Sequence, residues 1–283
     1  MTHTDAERGQ SAAEPRADAG GADPRGGLVL VDKERGPSSF AVVRRVRDRF
    51  GLKAGHAGTL DPLATGLLLC LVGRSTRLAR YLVGLDKRYE TTVRLGARTT
   101  TGDTEGEETE RTELPDRAAI EALAGELELP IPAASAVKID GERAYRLHRK
   151  GISVEMPTRR STIHALEILR LEPPELDLAL HVSSGTYVRS IADALGGHCL
   201  TLRRTAVGPL RVEDADEARL LPPLAALTAL PMRDLAPDEA RAVSAGRAVA
   251  AEGEGPVALV VAGELLAVAR AHDGVAHPET VLA

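Results

Sequence analysis

The sequence predicts an α+β fold, and three observations carry that reading. Strand-like and helix-like periodicities are mixed along the chain without strict alternation. In residues 176–183, Leu176, Leu178, Leu180 and Val182 alternate with Asp177, Ala179, His181 and Ser183, the period of a half-buried strand. The core must be aliphatic: apolar residues make up 43% of the 283 residues, whereas aromatics make up 2%, with no Trp, two Phe and four Tyr. That length suits one large domain with a small one, or two ordinary domains.

Residues 1–26 hold almost no large apolar side chain and are expected to form a disordered tail. A buried strand is expected at 27–31. Gly36-Pro37 marks a turn, after which Ser38 or Ser39 caps a helix running to about Phe50. Phe40, Val43, Val46 and Phe50 form its apolar face; Arg44, Arg45, Arg47 and Arg49 form a basic one. A polar Gly-rich loop with His56 and Asp61 follows, then a buried strand at 67–72, a short helix at 75–83 and a β-branched strand at 89–95. Residues 99–113 read as an acidic loop. Asp116 can cap a helix presenting Ile120, Leu123 and Leu127. Strands fit 161–171 and 176–183, and the second runs into Ser183-Ser-Gly-Thr-Tyr-Val-Arg189 and a helix to Leu195. Another strand fits 202–207. The Pro-spotted stretch 222–231 reads as a linker, and β-like runs at 257–262 and 265–269 belong to a small unit. The expected divisions are therefore a tail over 1–26, a large domain over 27–230 and a small one over 231–283.

A net charge of −5 argues, taken alone, against a nucleic-acid partner, but the charge is unevenly spread. Residues 33–53 carry seven basic and two acidic side chains, and residues 138–160 carry seven and three. Residues 103–128 carry ten acidic and two basic ones. Local sign sets the local field, so an acidic protein can present a basic RNA-binding face; a solvated surface fits each run as well. Cys70 and Cys199 form no CxxC or zinc pattern, which suits a reducing cytosol. The eight His show no ligand spacing, so no metal site is expected. No apolar run approaches the roughly 20 residues that span a bilayer, and no secretory signal is evident.

The segment Gly55-His-Ala-Gly-Thr-Leu-Asp-Pro-Leu-Ala-Thr-Gly66 is the most informative. Glycine permits close approach of backbone to a ligand, and Pro62 restricts the backbone after Asp61, which would aim its carboxylate. Composition alone favours a structural turn in which Asp61 caps its own backbone. In Ser183-Ser-Gly-Thr-Tyr-Val-Arg189 a Tyr and an Arg lie two apart where a strand meets a helix. A helix cap with a surface Arg is one reading. The other pairs Arg189 with a carboxylate, favours its ionised form and leaves Tyr187 at the same site.

In combination these segments resemble the TruB family of tRNA pseudouridine synthases. The resemblance runs in order through Leu30-Val-Asp-Lys33, the 55–66 segment, Asp86-Lys-Arg-Tyr89, Gly102-Asp-Thr-Glu-Gly106, Ser135-Ala-Val-Lys138, Arg143-Ala-Tyr145, Ser184-Gly-Thr-Tyr-Val-Arg189 and Leu202-Arg-Arg-Thr205. It covers residues 27–210, and the C-terminal unit resembles, more weakly, a PUA-like RNA-binding domain. It implies a mixed sheet with flanking helices and a small PUA-like β domain. It also implies isomerisation of uridine 55 in the tRNA T loop, with the base flipped out and held by stacking. By the same resemblance Asp61 is the catalytic carboxylate, Tyr89 stacks on the uracil and Arg189 pairs with Asp61. Tyr187 and Leu202 line the uridine pocket, His56 enters the opened T loop, and Lys33 is a structural or RNA-facing lysine nearby. No cofactor or metal is implied, the partner is the tRNA T-arm, no membrane is involved, and a monomer is expected. Pro130-Ile-Pro-Ala133 departs from the family's Gln-x-Pro-Pro, and the stretch between Leu195 and His198 is short.

Three readings compete. One is a stand-alone cytoplasmic synthase, another an RNA-binding or RNA-folding protein without catalysis. The third is the catalytic subunit of a guide-RNA particle, which carries a larger C-terminal domain. Asp61, Tyr89 and Arg189 favour the first.

Overall fold

In a computed structural model the described residues are 26–139, 141–152 and 154–282, with the side chain of His148 excepted. The expected tail over 1–26 lies outside them apart from Gly26. β1 (Gly27–Lys33) and β3 (Thr65–Val72) pair antiparallel, from Gly27 opposite Val72 to Lys33 opposite Gly66. Between them runs α1 (Ser39–Phe50). The Ser38 hydroxyl caps it by accepting from the Ala41 N–H, and Gly51 ends it at φ 65°. Its buried residues are Ser39, Val42, Val43 and Val46. The expected apolar stripe is thus corrected at Phe40, which is 64% exposed with the Arg44 guanidinium 5.6 Å from its ring centroid. Ser39 turns inward instead. Its Oγ accepts from the Leu60 N–H and donates to the Leu60 carbonyl, both at 2.8 Å.

β2 (Ala54–His56) pairs with β3, and α2 (Ala79–Val83) leads toward β4 (Lys87–Leu95). The segment expected as an acidic loop contains a hairpin of β5 (Ala97–Thr99) and β6 (Glu108–Arg111). Asp116 does cap a helix, α3 (Arg117–Glu121), but that helix is short. Leu127 belongs to β7 (Gly125–Pro130), because Gly125 turns the chain at φ 113° into a strand that pairs with its neighbour. β8 (Lys138–Ile139), β9 (Glu142–Arg143) and α4 (Ala144–Arg149) form a small basic excursion. β10 (Thr158–Glu172) and β11 (Glu175–Val182) pair antiparallel, followed by α5 (Val188–Ala194), β12 (Gly197–Val207) and β13 (Leu210–Arg211). Leu176, Leu178, Leu180 and Val182 are all buried, as their alternation predicts.

Among the described residues these strands form a nine-stranded sheet ordered β1-β3-β12-β4-β11-β10-β7, with β2 on β3 and β13 on β12. The β3–β12 pairing is parallel. β1 and β3 are buried on both faces, which explains their unbroken apolar sequences. Val29, Val31, Leu68 and Cys70 face the core that holds α1, while Leu28, Leu30, Leu67, Leu69 and Leu71 face the other way.

The C-terminal unit covers that second face. β14 (Met232–Asp234), α6 (Pro237–Ser244), β15 (Val249–Ala250), β16 (Gly255–Val261), β17 (Glu264–His272) and β18 (Val275–Val281) build a sheet ordered β14-β16-β17-β18-β15. Its Ala258, Val260, Leu265, Val268 and Leu282 share one core with Leu67, Leu69 and Leu71. The stretch expected as a linker packs into the same core: Ala226 and Leu227 are buried, and Leu28 and Leu221 exchange two backbone hydrogen bonds. Its prolines start a 3-10 turn rather than an exposed spacer.

Leu69→Ala should therefore lower unfolding free energy by ~2–5 kcal/mol, as for a fully buried leucine. Phe40→Ala should change it by no more than ~0.5 kcal/mol. Urea titrations of both variants check the contrast.

Candidate active site

Strand order brings four separate segments to one place. β3 is entered from the Asp61 loop, and β12 lies beside it with Arg204 opposite Gly66. β4 lies on the other side of β12, with Tyr89 opposite Arg204. β11 is next, with Leu180 opposite Tyr89, and it runs directly into the loop carrying Tyr187 and Arg189. Asp61, Tyr89, Tyr187, Arg189 and Leu202 all line one cavity of about 270 Å³, together with Leu60, Lys87, Ser135, Arg159 and Arg204.

The Asp61 carboxylate is held through one oxygen. Arg189 donates to Oδ2 from Nε at 3.0 Å, and its Nη2 lies 2.8 Å from the same oxygen. Oδ1 has no hydrogen-bond partner among the described residues. The Asp61 side chain is 33% exposed against 2% for Arg189, so the acid reaches the cavity from a buried guanidinium. Arg189 also donates to the Thr101 carbonyl at 2.6 Å and the Ala134 carbonyl at 3.1 Å, and Asp103 lies 3.7 Å away. Asp103 is itself fixed by Thr101 and by the Glu105 N–H. A guanidinium this buried is stable only when its donors are satisfied.

The sequence-predicted residues divide on position. Tyr89 and Leu202 are buried wall residues of the cavity, and burial pushes the Tyr187 phenol above its ordinary range. Lys33, expected as a structural or RNA-facing lysine, does not line the cavity. Lys33 is fully buried behind the loop, donating to the carbonyls of Ala64 (2.6 Å), Glu34 (3.0 Å) and Pro62 (3.3 Å). Desolvation lowers its pKa, and its work is to brace the backbone around Asp61. His56 sits on β2, outside the cavity lining. Its Nδ1 is buried without a partner, and burial, then the Arg204 charge, lower the imidazole pKa. The short Leu195–His198 connection leaves Leu202 in the wall.

Sequence reasoning assigned no role to four residues. Arg204 is 1% exposed and donates to the carbonyls of Leu67 (2.7 Å), Gly58 (3.1 Å) and Thr59 (3.4 Å). It braces the glycine loop from β12, and at Gly66 (φ 97°) any Cβ would collide with the Arg204 backbone. Lys87 donates to the carbonyls of Val83 and Leu85 and to Ser184, tying α2 to the loop after β11. The Ser135 hydroxyl is buried in the cavity wall with Tyr187. Asp103 completes the set. Their presence in the ordered motifs was the only signal, since burial depends on which strands become neighbours. Elsewhere, among the described residues, Glu254, His272 and Asp273 lie close enough to share a metal ion, but all are exposed and none lines the cavity. Burial pushes the Cys199 thiol up to about 12, which leaves it inert.

Burial, with the Arg204 charge second, pushes Lys87 down to about 8 from 10.5. Below that value both native and unfolded states carry the proton, and the burial cost is present in full. Between about 8 and 10.5 the native state binds fewer protons, so stability rises with pH. This group should add up to ~3 kcal/mol across that window, ~1.4 kcal/mol per pH unit. Urea titrations at pH 7.5, 9 and 10.5 should show the parent chain gaining stability relative to Lys87→Met as pH rises, the buried cysteine thiols opposing the rise equally in both above about pH 9. Parallel curves would remove Lys87 as its source.

Known proteins resemble this chain in sequence and in fold. Residues 44–188 match the family described as TruB family pseudouridylate synthase (N terminal domain). The tRNA pseudouridine synthase B of Thermobifida fusca (strain YX) is 42% identical over 91% of this chain and 98% of its own length. That of Mycobacterium sp. (strain KMS) is 43% identical over 82% and 87%. That of Leifsonia xyli subsp. xyli (strain CTCB07) is 49% identical over 71% and 73%. A chain in a solved Cbf5-Nop10-Gar1 complex superposes with a TM-score of 0.70 at 24% identity, over 92% of this chain and 86% of that one. This last likeness shows the fold, an α+β mixed sheet with a C-terminal sheet unit. With a family match over half the sequence and relatives above 40% identity over most of it, the chain belongs to the TruB family of pseudouridylate synthases.

Proposed function

We propose that this chain isomerises uridine 55 in the T loop of tRNA to pseudouridine, acting alone in the cytoplasm and without a guide RNA. The observation that carries the reading is the Asp61 carboxylate, gripped through Oδ2 by buried Arg189 at the edge of a cavity walled by Tyr89, Tyr187 and Leu202. The reaction breaks the N1–C1′ bond, turns the uracil and joins C5 to C1′; the C5 proton leaves and N1 gains one. Every such step begins at the ribose. Attack at C1′, as in retaining glycosidases, and removal of the 2′ proton both need an unoccupied carboxylate oxygen, and Oδ1 supplies one.

Other residues fit the same reading. The Tyr89 ring would stack on the extruded base, which suits the use of a scarce aromatic in a cavity wall. Leu202 would supply an apolar contact. The Tyr187 phenol, its pKa raised by burial, would remain a hydrogen-bond donor. Arg143, Arg146, Arg149 and Lys150, around α4, offer a basic surface for the RNA backbone, and His56 would meet the opened T loop. The boundaries 27–230 and 231–283 divide a catalytic domain from a PUA-like RNA-binding one, working as a monomer. Among the described residues no helix is long and apolar enough to cross a membrane.

Purified protein should convert uridine in a bare T-arm stem-loop without guide RNA, ATP or metal, as read by carbodiimide mapping. No conversion at stoichiometric protein, with binding intact, would replace this reading with an RNA-binding one. Asp61→Asn should bind the stem-loop yet lose at least ~10³-fold in turnover. Substantial turnover in that variant would remove Asp61 from its role.

A further inference from the structure

Four cationic side chains line the cavity: Lys87, Arg159, Arg189 and Arg204. Three of them have their donors engaged by the protein. Arg189 is taken by Asp61 and two carbonyls, Arg204 by three carbonyls, and Lys87 by two carbonyls and the Ser184 hydroxyl. Arg159 differs. It lies on β10 opposite Leu129, it is exposed, and among the described residues its side chain makes no hydrogen bond or ion pair. Asp61 is the only carboxylate among the lining residues, and Arg189 already holds it.

Arg159 sits beside a turn whose backbone favours glycine. Its guanidinium lies against the backbone of Gly185, where any Cβ would collide with Cζ and Nη2. Gly185 has φ 80°, a conformation that side chains other than glycine rarely take. The Ser184-Gly-Thr186 turn thus leaves a slot for the guanidinium beside Tyr187. Arg159 lines the cavity together with Ser184, Gly185 and Tyr187, which sets it on the cavity side of the strand.

On the reading that a nucleotide is extruded into this cavity, its 5′ and 3′ phosphates remain at the mouth. They are anions that planar guanidinium groups match well. We infer that Arg159 binds a phosphodiester flanking the extruded nucleotide and so supplies the one electrostatic contact the cavity makes to the RNA backbone. The other three cations organise the protein, and this one faces the substrate.

Arg159→Gln and Arg159→Lys test the inference on the T-arm stem-loop. Arg159→Gln should weaken binding about tenfold and lower the slope of log affinity against log salt by about 0.7–0.9, as for one lost phosphate contact. Turnover at saturating RNA should stay within about twofold, and Arg159→Lys, which keeps the charge without the fork, should fall between. Stem-loops with one neutral methylphosphonate, placed either 5′ or 3′ of the target uridine, locate the contact. At one of the two positions the neutral linkage should weaken binding to the parent chain as much as Arg159→Gln does, and should weaken Arg159→Gln no further. Unchanged affinity and salt slope in Arg159→Gln would overturn the inference, as would losses that multiply at both positions. Conversion by the parent chain is read in parallel. Its failure would sink the proposed function, whereas its success with Arg159→Gln binding equally well would sink only this inference.

Discussion

The pair between Arg189 and Asp61 is the constraint around which the site is organised. Arg189 is almost wholly buried, in the first turn of α5. A buried guanidinium is costly unless its donors find acceptors, and these come from widely separated stretches: Asp61 before β3, Thr101 after β5 and Ala134 after β7. Satisfying this one side chain draws the Asp61 loop, the acidic hairpin and the segment before α4 to the same point. The geometry also leaves the carboxylate half used. One oxygen is held and the other has no partner, which is the state an acid must be in if it is to meet a ribose.

The same device recurs behind the loop. Lys33 braces the backbone at 62 and 64, Arg204 braces it at 58, 59 and 67, and Lys87 ties α2 to the loop after β11. Each buries a cation and spends it on main-chain carbonyls. A loop rich in glycine has much conformational freedom to lose; its Ala57, Leu60, Leu63 and Ala64 are buried, but its glycines and polar residues offer no such packing. Charged struts from neighbouring strands restrain it where an apolar core cannot. With three cations committed in this way, Arg159 stands apart as a cavity-lining arginine whose side chain has no partner among the described residues.

The C-terminal sheet belongs to the same mechanical scheme. It seals the second face of β1 and β3, the strands that flank the Asp61 loop in sequence and in space. Leu67, Leu69 and Leu71 would otherwise meet water, so the loop is anchored by a strand covered by α1 on one face and by the C-terminal sheet on the other.

Much of the local structure was legible in the residues themselves. The alternation at 176–182 specified which face of β11 is buried, Ser38 marked the start of α1, and the apolar run at 67–72 announced a strand covered on both sides. The ordered motifs singled out Asp61, Tyr89, Tyr187, Arg189 and Leu202, and all five line one cavity. These signals are local, because side-chain period, capping and turn chemistry act over a few residues. What only the tertiary structure decided is which charges are buried and which are free. Nothing within a few residues of Lys33, Arg159 or Arg204 distinguishes a strut from a substrate contact, and nothing near Phe40 marks it as exposed. That distinction depends on strand order, since the parallel pairing of β12 with β3 sets Arg204 under the glycine loop. Likewise the place of β10 beside β11 sets Arg159 at the Gly185 turn. A cation's role follows from the acceptors it meets, and those acceptors are distant in the chain.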